Sequence, residues 1–104
     1  MKPVIITAPD QIGPLVRAAL RQQFGVALDS VDDDASLRDT LGDRFDSLAV
    51  LDCVSRVERT FGIEVDFVDH DVRYSFATVR RISSYVRDQL EDLAVLGRPS
   101  AAPR

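Results

Sequence analysis

Ser47 stands between an acid and a leucine in the run Gly42-Asp43-Arg44-Phe45-Asp46-Ser47-Leu48, where an irregular stretch gives way to an amphipathic one. A serine in that place has two kinds of chemistry open to it. Its hydroxyl can accept a backbone N–H and cap a helix, which is the common case. It can also carry something covalently attached. Other reactive groups are few, since the chain has one cysteine, Cys53, and one histidine, His70. One of each cannot build a zinc site of the usual kind, and a lone cysteine allows no internal disulfide. No Ser–His–Asp arrangement can be drawn around His70, which is expected at the surface. Cys53 borders an apolar stripe and reads as a small buried group, not a nucleophile. The acids Asp29, Asp32, Asp33 and Asp34 invite a calcium reading. They lack the alternating spacing, the turn glycine and the closing glutamate of an EF-hand loop, so a solvated acidic loop is expected instead.

The elements that must position Ser47 follow from periodicity. Ile12, Leu15, Val16, Ala19, Leu20 and Phe24 recur at steps of three and four, which is one face of a first helix. Asp10 can cap it. Pro14 argues for a start a residue or two later, because its missing N–H is harmless only near the first turn. Gly25 suits the C-terminal stop. Residues 26–46 form a connection too long to be structureless, with Val26, Leu28, Val31, Leu37 and Leu41 as apolar anchors and a capped turn at Ser36 that Gly42 ends.

The second long helix is predicted from Asp46 or Ser47 to Phe61, with Gly62 as its stop. At about 100° per residue, Val50, Val54, Val57 and Phe61 share one stripe, with Cys53 beside it. Leu48, Asp52, Ser55 and Arg59 fall on the opposite face. Leu48 therefore points away from the core beside Ser47, a candidate docking point. Residues 66–75 hold a short helix or only turns. Val79, Ile82, Val86, Leu90 and Leu93 then mark a last long helix capped by Thr78, fading between Leu93 and Leu96. Arg73, Arg80, Arg81 and Arg87 read as solvated helix charges. The expected fold is all-α: a small bundle of four helices, three long and one short, with a long first loop. Residues 1–9 read as an N-terminal extension, 10–93 as the domain and 94–104 as a disordered tail.

Composition narrows the classes. The 104 residues suit one domain, and 45 % hydrophobic with 29 % charged residues is ordinary for a soluble globule. A formal net charge of -4 argues against a nucleic-acid partner, which calls for clustered Lys and Arg. No segment reaches membrane-spanning length and the N-terminal run is too short for a signal peptide, so a cytoplasmic monomer is expected.

Residues 35–86 resemble an acyl carrier protein. The likeness is carried by Ala35-Ser36-Leu37, Leu41-Gly42 and Asp46-Ser47-Leu48. It continues in the helix ending Glu58-Arg59-Thr60-Phe61-Gly62-Ile63-Glu64-Val65, in Ala77-Thr78-Val79 and in Tyr85-Val86. The helix from Ile12 to Phe24, with Gly25-Val26, resembles the family's first helix. Asp-Ser-Leu alone is a weak motif; the same motif opening a helix that closes with an aromatic and Gly-Ile-Glu-Val is far more specific.

The resemblance implies a 4'-phosphopantetheine on Ser47, whose terminal thiol holds an acyl or aminoacyl group as a thioester and delivers it to partner enzymes of lipid or specialised metabolite synthesis. It implies no catalysis by the chain and no resident metal. Asp46 matches the aspartate that helps the transferase hold its metal during modification, and Leu48 the docking leucine, with Asp52, Ser55 and Arg59 on the same face. The implied partners are a phosphopantetheinyl transferase, an acyl-loading ligase or acyltransferase, and a ketosynthase or other acyl-consuming enzyme. The valine stripe would form the wall that shelters a short acyl chain. A helix N-terminus favours a phosphodiester anion, so the chemistry suits the place.

Departures are visible too. Asp43, Arg44 and Phe45 lie between Gly42 and Asp46, where the family usually has one or two residues; Phe45 is expected to pack in the core. Ala49, Ser55, Arg56 and Arg59 make the second long helix less acidic than in fatty-acid carriers. Charges on a docking rim set partner choice, so a dedicated partner set and a specialised stand-alone carrier are expected. The reading from a different class is an unmodified helical interaction domain that keeps the shape without the arm.

Overall fold

The computed structural model describes residues 9–65 and 71–96, with side chains over 10–65 and 71–93. Among the described residues there are five α-helices: α1 (Pro9–Phe24), α2 (Leu37–Leu41), α3 (Ser47–Phe61), α4 (Val72–Ser75) and α5 (Val79–Leu96). Two 310 turns, Gly25–Ser30 and Gly42–Arg44, complete the path from α1 to α3. Among the described residues there is no strand, so the fold is the small all-α bundle that the spacing predicts. α1, α3 and α5 are the three long helices and α4 the short one. The single turn α2 is the capped turn at Ser36, whose Oγ accepts the Asp39 N–H at 3.1 Å. His70 and the terminal segments 1–8 and 97–104 lie outside the described residues.

α1 packs against both α3 and α5. Its buried stripe is Ile12, Val16, Ala19, Leu20 and Phe24, with Leu15 at the border, 37 % exposed. The late start expected from Pro14 does not occur: α1 takes in Pro9 and Asp10, and Pro14 lies inside it. Pro14 removes the N–H that would bond to the Asp10 carbonyl, a loss confined to the opening turns. The residue before it is Gly13, which has no Cβ to clash with the proline ring.

Gly25 ends α1 with φ 71°, a left-handed conformation that glycine adopts without strain. The turn then redirects the chain. Leu28 and Val31 are buried, as expected, but Val26 is 72 % exposed and anchors nothing. Residues three apart eclipse in a 310 turn, so Leu28 and Val31 face inward together and Val26 does not.

Three of the four acids of this stretch, Asp29, Asp33 and Asp34, are tied down, not merely solvated. Arg17 of α1 donates to the Asp33 carboxylate at 2.7 Å and to the Val31 carbonyl at 2.6 Å. Arg21 pairs with Asp29 at 3.0 Å, and Arg80 of α5 pairs with Asp34. Backbone bonds add to the attachment: Leu37 N–H to the Ala77 carbonyl and Arg80 N–H to the Asp33 carbonyl, both 2.9 Å. Arg80 is therefore a loop clip, while Arg81 stacks on the Tyr74 ring, its guanidinium carbon 3.9 Å from the centroid. Among the described residues no cluster of three or more acids, histidines or cysteines is placed to hold a metal ion.

The remaining boundaries follow their capping residues. α3 stops at Gly62, φ 70°, where the N–H groups of Gly62 and Ile63 both reach the Glu58 carbonyl, at 2.8 and 3.2 Å. The Glu58 carboxylate accepts the Val65 N–H at 2.8 Å and holds the segment leaving α3 down, with Ile63 and Val65 buried. Asp71 caps α4, and the Thr78 hydroxyl accepts the Arg81 N–H at 3.0 Å to open α5.

Candidate functional site

α3 begins with Asp46 as its N-cap and Ser47 as its first helical residue. The Asp46 backbone is extended, φ -86° and ψ -175°, which is the usual cap geometry. Its Oδ1 accepts the Ala49 N–H at 2.9 Å and its carbonyl accepts the Val50 N–H at 2.9 Å. The capping role that a serine here most often fills belongs to the aspartate. Ser47 is exposed, and its hydroxyl makes no hydrogen bond among the described residues. The N–H groups of Ser47 and Leu48 likewise have no acceptor there, as expected for the first turn of a helix.

Four neighbours fix this first turn. Phe45 is 5 % exposed and packs against Phe24 with ring centroids 5.9 Å apart, so it is the core residue the sequence leads one to expect. Arg44 donates to the Phe24 carbonyl at 2.7 Å and lies over the Phe24 ring at 5.9 Å. Gln23 donates from Nε2 to the Ala49 carbonyl at 2.8 Å. The end of α1 thus grips the loop before Ser47 and the helix after it. Sequence reasoning passed over Gln23 and Arg44. Both act on backbone carbonyls distant in sequence, and side-chain type gives no signal of that.

Leu48 is 76 % exposed. Leu51, 50 % exposed and one turn further on, widens the apolar strip beyond what the sequence reading named. Arg59 is exposed, while Asp52 and Ser55 are half-buried. Asp52 accepts from Arg56 at 3.3 Å, and Arg56 also reaches Gln22 at 3.4 Å. On the inner face Cys53, Val54, Val57 and Phe61 are buried and Val50 half-buried. Burial, with the Asp52 charge adding to it, pushes the Cys53 thiol up to about 12. It is a packed apolar group, not a nucleophile.

Beside α3, a cleft of about 380 Å³ opens between α2, α3 and α4. Phe45, Val50, Val72 and Phe76 supply its apolar lining. Of the valine stripe only Val50 reaches it; Val54 and Val57 face the core.

Residues 14–86, more than half of the chain, match the family model described as a phosphopantetheine attachment site. The chain belongs to that carrier family. Its members bear a covalent 4'-phosphopantetheine on a serine and carry acyl groups without catalysing reactions themselves. Such carriers meet phosphopantetheinyl transferases and acyl-handling enzymes. Among curated proteins no significant match to this carrier is found. Among the described residues no helix is long and apolar enough to cross a membrane.

The residues at the start of α3 fit the family's group. The Ser47 hydroxyl is exposed and unbonded among the described residues, as an attachment point would need to be. Two adjacent N–H groups without acceptors, at the positive end of a helix of 15 residues, suit a phosphodiester. The carboxylate of the N-cap, Asp46, directs an oxygen to Ala49 N–H. When bound, the group would supply a mobile thiol, and these residues would supply its anchor and setting.

Proposed function

We propose that Ser47 bears the 4'-phosphopantetheine arm, and that the carrier holds an acyl or aminoacyl group on it as a thioester for enzymes of lipid or specialised metabolite synthesis. The single observation behind this reading is the division of labour at α3: Asp46 caps, leaving the Ser47 hydroxyl exposed and unbonded. In modification the Ser47 oxygen bonds to the pantetheine-bearing phosphorus of coenzyme A, the pyrophosphate bridge breaks, adenosine 3',5'-bisphosphate leaves and the hydroxyl proton passes to the transferase. Asp46 keeps Oδ2 without a partner among the described residues, so it can cap through Oδ1 and still meet the transferase's metal ion.

Docking belongs to the outer strip of α3. Leu48, joined by Leu51, gives the apolar contact, and Asp52, Ser55 and Arg59 form the polar margin that sets partner choice. The partners are the transferase, an acyl-loading ligase or acyltransferase, and a ketosynthase or other acyl-consuming enzyme. A cytoplasmic monomer accords with the charge and with α1, α3 and α5 burying their apolar faces on one another.

The test is intact-mass measurement after incubation with coenzyme A, magnesium and a broad-specificity transferase. A gain of one phosphopantetheine is expected. No gain with several transferases would instead favour an unmodified interaction domain. Leu48→Ala should slow loading by the acyl-loading enzyme with the circular dichroism spectrum unchanged; an unchanged loading rate removes Leu48 from the docking surface.

A further inference from the structure

The arginines of this carrier divide into committed and uncommitted groups. Arg17, Arg21, Arg44, Arg56 and Arg80 each hold a carboxylate or a carbonyl, and Arg81 stacks on Tyr74. Arg38, Arg59, Arg73 and Arg87 have no such partner among the described residues. Arg38 is on α2 and Arg73 on α4, yet both line the cleft described above, over its floor of Phe45, Val50, Val72 and Phe76. Both are exposed.

The acids next to these arginines in sequence leave them alone. Asp71 turns Oδ1 to the backbone N–H groups of Arg73 and Tyr74, at 3.1 and 3.4 Å, not to the guanidinium. The Asp39 carboxylate, beside Arg38, makes no hydrogen bond or ion pair among the described residues; only its backbone N–H is engaged, with Ser36. In a chain of net charge -4, two unpaired guanidiniums on one apolar cleft are a local reversal of sign. Guanidinium groups bind carboxylates as forked pairs, with geometry as well as charge.

The cleft is also on the way from Ser47. A second hollow, lined by Gly42, Asp43 and Asp46, shares Arg38 and Phe45 with it. A tether rooted at the start of α3 can therefore pass over Phe45, beside Arg38, into the cleft.

We infer that the cargo this carrier shelters is an acyl group bearing a carboxylate: its carbon chain lies on Phe45, Val50, Val72 and Phe76, and its anionic end lies between Arg38 and Arg73. The inference rests on Ser47 holding the arm. It adds the chemical class of the cargo and two residues that select it.

The experiment loads the protein from acyl-coenzyme A with a broad-specificity transferase. One sample carries a glutaryl group; another carries its neutral isostere, with an isopropyl group in place of the carboxylate. A third carries the unacylated arm. Intact mass is read first. If no sample gains an arm, the Ser47 reading fails and this inference with it, before the cleft is probed.

With loading established, thioester cleavage by hydroxylamine is timed, each rate divided by that of the same acyl group on free pantetheine. The glutaryl thioester should be cleaved about three- to tenfold more slowly than the isostere, in keeping with partly exposed charge-assisted pairs. The difference should vanish in the Arg38→Met/Arg73→Met variant, whose fold is checked by circular dichroism. Equal protection of both acyl groups, or glutaryl protection that survives the double substitution, overturns the inference. So does a third result: if the unacylated arm shifts the Arg38 and Arg73 side-chain NMR signals as far as the glutaryl form does, those arginines hold the tether's phosphate and not the cargo.

Discussion

The connection from α1 to α3 is held in two different ways along its length. Its first half, from Gly25 to Ala35, buries Leu28 and Val31 and is also fastened at the surface by arginines of α1 and α5 reaching Asp29, Asp33 and Asp34. Its second half, from Gly42 to Asp46, is fastened from inside by the Phe45 ring on Phe24, with Arg44 on the Phe24 carbonyl. Exposed ion pairs are weak and screened by salt, whereas a buried aromatic side chain is among the stronger local anchors. The stronger device stands next to Ser47. The position of the serine thus depends on the apolar packing beside it, and the surface ion pairs of the first half lie elsewhere on the connection.

Phe45→Ala is the sharpest way to break that comparison. Removing a buried ring should destabilise the fold by about 3 kcal/mol, measured by denaturant unfolding, and should slow modification of Ser47 under native conditions. Unchanged modification by a destabilised Phe45→Ala protein would separate Ser47 from its supposed anchor. Arg17→Ala should cost less, about 1 kcal/mol from the loss of charge-assisted bonds to Asp33 and the Val31 carbonyl. Its modification rate should match wild type, since the half of the connection it holds is not the half that sets Ser47.

The Arg80–Asp34 pair should have the smallest effect, and one that depends on pH. The Arg80 guanidinium holds the Asp34 carboxyl below its ordinary value of 3.8. A carboxyl lowered in the folded state stabilises fully above its unfolded value, and the contribution fades as pH falls through the folded one. Asp34→Asn should therefore lower the melting temperature slightly at neutral pH and low salt. The difference from wild type should begin to shrink as pH falls below 3.8, vanish once pH is below the lowered folded value, and shrink in high salt. A difference that persists under strongly acidic conditions would rule out the ion pair as its source. Cys53 gives an independent reading of the α3 interior. With its thiol raised to about 12 by burial, the folded unmodified protein should show no thiol reactive at neutral pH and the unfolded protein one. A reactive native thiol would mean that α3 packs less tightly than described.

Much of this was legible in the residues. The apolar spacing of α1, α3 and α5 marks each helix because one face of each enters the core, and Gly25, Gly42 and Gly62 mark their turns because each has positive φ. The motif at Ser47 marks the start of α3, where the proposed site lies. Other features were not legible, for physical reasons. Asp and Ser cap helices about equally well, so adjacent Asp46 and Ser47 do not reveal which one caps. Pro14 misled because the first-turn rule takes no account of a preceding Gly13. Val26 misled because apolar type says nothing of direction in a 310 turn. The clips from Arg17, Arg21 and Arg80, and the grip of Gln23 on Ala49, join residues far apart in sequence. Such pairings are set by how the helices pack, and no local pattern announces them.

The claim on which the rest depends is that the arm sits on Ser47 and on no other serine. Ser36 and Ser55 are the competitors to weigh: Ser36 uses its hydroxyl to cap α2, and Ser55 lies half-buried within α3. Peptide fragmentation mass spectrometry of the modified protein decides among them. The expected result is a phosphopantetheine on the fragment ending at Ser47, with no adduct anywhere in Ser47→Ala; an adduct on Ser36 or Ser55, or one retained in Ser47→Ala, would contradict it.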